Sequence, residues 1–173
     1  MRVLRSFLFL SLVLMLHTGF ASLLRPSNTS HVTGPAQWDL FAHSRQNEMI
    51  VDANNNLYVE IRKFSLRQED IRACWNFGTL LSGLPYTISW SGKVEGMPEW
   101  ALSHTIQEQV FPYHRYTDFK DEYLTTGMQN MQVSFIPDMS TARGRICFWM
   151  GKGEGMAKIT LSNVRISDPT PSF

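Results

Sequence analysis

The chain has 173 residues, with 16 Lys and Arg against 15 Asp and Glu, so its formal net charge of +1 gives no bulk attraction to nucleic acid or another polyanion. A hydrophobic content of 43% and an aromatic content of 12% exclude a disordered chain and suffice for one sizeable core. Two cysteines, Cys74 and Cys147, are too few for a disulfide-built mini-protein.

Arg2 and Arg5 precede an apolar run from Phe7 to Leu16, and the small residues Gly19 and Ala21 follow it. This order predicts a secretory signal peptide over 1–21, cleaved after Ala21. The run falls well short of the roughly 20 residues that span a bilayer, so no stable membrane insertion is expected. The secreted or periplasmic address makes the cysteine pair meaningful: an even count permits one Cys74–Cys147 disulfide, and two buried free thiols are the alternative. Residues 22–35, rich in Ser, Thr, Pro and Gly, read as a leader or linker, and "NTS" at Asn28 to Ser30 is a glycosylation sequon that matters only in a eukaryotic secretory pathway.

From there the apolar period is two. "NLYVEIRKF" sets Leu57, Val59 and Ile61 against Tyr58, Glu60 and Arg62, and "YTISWSGKV" sets Tyr86, Ile88 and Trp90 against Thr87, Ser89 and Ser91. "IQEQVFPYHRY", "MQVSFIP" and "RICFWMG" continue the pattern. In "AKITLSNVRI" the register set by Ile159 and Leu161 shifts to Val164 and Ile166 near Asn163. Turn chemistry punctuates the runs at "ANNNL", "LSGLPY", "EGMPEW", "IPDMSTARG" and "GKGEGM". "LRQEDIRA", Leu66 to Ala73, reads as a connection between strands. About eight short strands without an amphipathic helix predict an all-β fold, an antiparallel β-sandwich or jelly roll, as a single domain over 36–168 with a tail at 169–173.

In the strand around Cys147, Ile146, Phe148 and Met150 make one face wholly apolar, which leaves Arg145 and Trp149 on the other. Gln107 and Gln109 share a face by two-residue spacing, with Tyr113 just beyond. Amides and rings are what a protein uses on a sugar: amides hydrogen-bond hydroxyls, and flat rings stack on the C–H face of a pyranose. Trp75 and Trp90 fit the core better. His43, His104 and His114 lack zinc spacing and read as surface or packing residues.

The ordered strings "CWNFGTLLSGLPYTISWSGKV", "IQEQVFPYHRY", "YLTTGMQNMQVSFIP" and "RICFWMGKGEGMAKITLSNVRI" together resemble the carbohydrate-binding modules of the family 4/9 type over roughly Trp38 to Asp168. The resemblance implies a galactose-binding-like jelly roll whose concave sheet holds a β-glucan or xylan-like chain without catalysis, with a separate glycoside hydrolase as a further partner. Carried over by position, the ligand-binding residues are Asn76, Gln107, Gln109, Tyr113, Arg145 and Trp149. The family's structural calcium fits poorly: "GPAQWDLFAHS" keeps Trp38 but not the usual Glu, and Ser162 and Asn163 replace an acidic pair, so no cofactor is expected. Two other functions remain as alternatives. One is an envelope or secreted protein-interaction domain on the same scaffold. The other is a small polysaccharide-degrading enzyme using two of Glu108, Asp118, Asp121 and Glu122, although Glu108 alternates away from the glutamines.

Overall fold

The computed structural model describes residues 37–167, so the signal-peptide and leader expectations at 1–35 and the tail at 169–173 lie outside the described residues. Ten strands follow in order: Trp38–Ala42 (β1), Glu48–Val51 (β2), Leu57–Ile61 (β3), Ile71–Leu80 (β4), Tyr86–Glu95 (β5), Glu99–Glu108 (β6), Lys120–Thr125 (β7), Gln129–Phe135 (β8), Thr141–Trp149 (β9) and Ala157–Ser167 (β10). The only described helix is a short 3₁₀ turn, Gln68–Asp70. It ends the "LRQEDIRA" connection, whose last residues, Ile71 to Ala73, already belong to β4.

The strands form two five-stranded antiparallel sheets, β1-β4-β9-β6-β7 and β2-β3-β10-β5-β8. Each presents its alternate residues to the other, as period-two alternation requires. Leu57, Val59 and Ile61 of β3 meet Leu161, Ile159 and Ala157 of β10 in register, all buried. On the facing sheet Trp38, Trp75, Ile146 and Ile106 form a cross-strand row of core residues. Trp90 of β5 reaches between the sheets, with its ring edge-on to Phe148 of β9 at 5.4 Å and to His104 of β6 at 4.9 Å. The register break foreseen near Asn163 is a bulge: Ser162 pairs with Ser91 but Arg165 with Ser89, leaving two residues opposite one. Asn163 takes φ 54, a left-handed conformation that Asn tolerates, and Val164 turns back into the core.

β1, β2 and β7 had no distinct alternating signature of their own. β1 and β7 are the edges of one sheet and β2 is an edge of the other. His104 is the buried packing histidine, 1% exposed. Its Nε2 stands 3.5 Å from Glu122 on the adjacent strand. No helix among the described residues is long and apolar enough to cross a membrane.

Candidate functional site

The face of the β1-β4-β9-β6-β7 sheet turned away from the core carries the chemistry. Cross-strand register assembles three rows on it. Phe41, Arg72, Trp149, Ser103 and Asp121 form the first. Asp39, Cys74, Cys147 and Thr105 form the second. Asn76, Arg145, Gln107 and, through an isolated bridge, Arg115 form the third. Neighbouring members stand one strand spacing apart, about 4.8 Å.

The middle row is the floor. Cys74 and Cys147 are paired in register across β4 and β9 and joined as a disulfide, both fully buried. Of the two cysteine states left open by the sequence, the cross-link is the one formed.

The segment between β6 and β7 closes over one side of this face. The Thr117 side-chain oxygen accepts the Ile106 amide at 2.9 Å where a backbone partner would otherwise stand, and Thr105 Oγ1 donates to the Thr117 carbonyl at 2.6 Å. This holds Arg115 beside Gln107 and brings Phe119 above Trp149, with rings 4.8 Å apart and inclined at 67°. The Arg115 guanidinium lies 4.5 Å from the Phe119 ring centre, the Arg145 guanidinium 5.3 Å from that of Tyr113, and the Arg72 guanidinium 5.6 Å from that of Phe41.

Four of the six sequence-assigned residues, Asn76, Gln107, Arg145 and Trp149, share this face through register, and Tyr113 joins them through its contact with Arg145. Gln109 lies one residue beyond the end of β6 at Glu108 and is exposed, its backbone N–H donating to the Arg143 carbonyl. Trp149 faces outward as alternation requires, yet it is only 8% exposed beneath Phe119. The rings that meet solvent on this face include Tyr113, Phe119 and Phe41, exposed to 45%, 44% and 39%, and Tyr123 of β7, exposed to 59%. Phe41, Asp39, Arg72, Arg115 and Phe119 were not assigned from sequence. Arg72 was within reach, because it alternates with Cys74 and Asn76; Phe119 was not, because the chain departs from regular pairing between Thr117 and Lys120.

Arg145 is the most constrained charge of the face. It is 4% exposed, and its Nη1 lies 3.3 Å from Asp39 Oδ2. Burial pushes its pKa down and the nearby Arg72 charge adds to that, while Asp39 opposes both. It stays a cation, as guanidinium groups do in proteins.

Carboxylates suited to paired acid–base work do not converge here. Asp39, Asp121 and Glu99 face this side, but Asp39 and Asp121 lie on the two edge strands, four strand spacings or roughly 19 Å apart, and Glu99, opposite Thr125, stands four residues or about 13 Å along the strands from Asp121, whereas glycosidases need about 5–9.5 Å. Glu122 turns inward to His104, and Glu108, a register step from Gln107, alternates to the opposite side. For calcium, Ser162 and Asn163 sit at the β10 bulge without a carboxylate, and among the described residues no group of three or more Asp, Glu, His or Cys gathers to hold an ion.

No protein-family profile and no curated protein sequence matches the chain. Solved structures do. One described as a study of family 4 carbohydrate-binding module structure and function superposes with a TM-score of 0.62 at 20% identity, over 75% of this chain and 85% of that one. The N-terminal cellulose-binding domain of Cellulomonas fimi β-1,4-glucanase C gives a TM-score of 0.62 at 15% identity, over 79% and 91%. The chain has the fold of these modules. The second cellulose-binding domain of the same glucanase agrees, with a TM-score of 0.58 at 20% identity over 87% and 90%. At such identities the likeness fixes the jelly roll and leaves the ligand to the side chains of this chain.

Proposed function

We propose that the protein is a secreted, non-catalytic carbohydrate-binding protein that holds a polysaccharide chain, β-glucan or xylan-like in its backbone, against the outer face of the β1-β4-β9-β6-β7 sheet. The observation that carries this reading is the row Asn76, Arg145 and Gln107, in register on three adjacent strands and bordered by the exposed rings of Tyr113 and Phe119. The guanidinium group donates to hydroxyl oxygens, the amides both donate to hydroxyls and accept from them, and the rings stack on sugar C–H faces. Trp149 acts beneath them, holding Phe119 in place. The roughly 19 Å between Asp39 and Asp121 supports binding over hydrolysis. The N-terminal signal-peptide pattern supports secretion, and a glycoside hydrolase acting on the same polymer is the partner that such a role implies.

Each stacked ring or hydrogen bond contributes about 1 kcal/mol net, so affinity should be micromolar or weaker. Affinity electrophoresis through gels containing barley β-glucan, xylan, laminarin or hydroxyethyl cellulose tests it. Retardation by one of them, weakened severalfold by Tyr113→Ala, is the expected result. A folded protein that migrates freely through every polysaccharide overturns the proposal.

A further inference from the structure

A chain whose net charge is +1 concentrates cations on this one face. Arg72, Arg115 and Arg145 all point onto it, as their rows and ring contacts show. Against them stand Asp39, half-exposed and 3.3 Å from Arg145, Asp121 at the far edge, which already accepts the Ser103 hydroxyl, and Glu99 at the start of β6, four residues from Ser103. Among the described residues neither Arg72 nor Arg115 forms an ion pair with a carboxylate.

The hydrogen-bond account is incomplete in the same place. The Nε–H groups of Arg72 on β4 and Arg145 on β9 are buried without a partner, as is the side-chain oxygen of Asn76, which stands opposite Arg145 in register. A buried, unsatisfied donor on a cation costs more than a neutral one. Planar guanidinium forks match carboxylate and sulfate oxygens, to which they give paired, charge-assisted hydrogen bonds. A neutral sugar hydroxyl would satisfy the donors but leave the excess charge.

Resting on the carbohydrate reading above, we propose that this face selects an acidic polysaccharide, one whose carboxylate or sulfate oxygens pair with the guanidinium groups of Arg72 and Arg115 while its ring lies on Tyr113 or Phe119. Arg72 stands in the first row and Arg115, exposed and stacked on Phe119, in the third; the rows are four residues apart along β4, about 13 Å, so the two engage charged groups on different sugar units. Arg145, buried and held by Asp39, adds positive potential from beneath.

Calorimetric titration of the purified protein with hexasaccharides of matched length tests this: xylohexaose and cellohexaose as neutral ligands, hexagalacturonate for carboxylates, and a heparin-derived hexasaccharide for sulfates. At 20 mM NaCl one acidic ligand should bind at least tenfold more tightly than either neutral one. The advantage should shrink severalfold by 300 mM NaCl, as screening requires. Arg72→Gln and Arg115→Gln should each weaken the acidic ligand at least threefold, whereas Lys158→Gln, on the other sheet beside Glu60, should leave it unchanged. Whether hexagalacturonate or the heparin fragment gives the heat tells carboxylate from sulfate. Neutral ligands binding as tightly as acidic ones overturn the charge selection and leave the carbohydrate reading standing. Equal weakening by Lys158→Gln also overturns it, because attraction would then be diffuse. Silence from all four ligands overturns the charge selection, and together with free migration through every polysaccharide gel it overturns the carbohydrate reading as well.

Discussion

Replacing Cys74 and Cys147 together by Ala removes a cross-link that spans 73 positions of sequence. Closing a loop of that length lowers the entropy of the unfolded chain by about 15 cal/mol/K, or about 4.4 kcal/mol at 25 °C. Nothing comparable is lost from the folded side, since β4 and β9 remain hydrogen-bonded on both flanks of the pair. For a domain of this size 1 kcal/mol moves Tm by about 3–4 °C, so the variant should melt roughly 15 °C lower. Urea unfolding followed by tryptophan fluorescence gives the free energy, and thiol titration of the denatured, unreduced wild type should find no free sulfhydryl. A loss below about 1.5 kcal/mol would refute the reasoning that the bond acts by restricting the unfolded chain. Two titratable thiols would refute the bond itself.

Trp90→Ala should cost about 3–5 kcal/mol, because Trp90 is 1% exposed and packs against both Phe148 and His104, whereas Tyr113→Ala should weaken polysaccharide binding with under about 1 kcal/mol of stability lost; urea unfolding and affinity electrophoresis on both variants separate the effects. Trp149→Ala should lower stability and affinity together, since Trp149 is buried under Phe119. Burial depresses the His104 pKa below the ordinary imidazole value; Glu122 and, more weakly, Asp121 oppose this, and Lys120 reinforces it. The unfolded chain therefore takes up a proton near pH 6.5 that the folded protein does not accept. The stability contribution is complete above about pH 6.5 and falls as the pH drops toward the lower folded value. Urea unfolding at pH 8 through 5 should show that decline, and His104→Leu should flatten it; a stability that rises on acidification would mean that His104 is charged in the fold.

Much of this was legible because alternation along a strand is a local property. The runs at Leu57 to Ile61 and Tyr86 to Trp90 pointed where their periods said, and so did the opposed faces of Ile146 with Phe148 and Arg145 with Trp149. Gln109 lies one residue past the end of β6 at Glu108, outside the register rows that gather Asn76, Arg145 and Gln107. Trp149 shows the limit of the rule: its direction followed from sequence, but its cover did not, because Phe119 arrives from an irregular segment thirty residues earlier in the chain.

The all-β class, the core face of most long strands and the register shift at Asn163 were readable along the chain, because each depends on neighbours within a few residues. The sheet order β1-β4-β9-β6-β7, and with it which distant residues became neighbours, emerged with the packed fold. That order brought Asn76, Arg145 and Gln107 into one row, joined Cys74 to Cys147, set Asp39 and Asp121 on opposite edges and gathered Arg72, Arg115 and Arg145 on one face of a nearly neutral chain. Pairing between strands far apart in sequence depends on how the two sheets close over a shared core, and no local period encodes it.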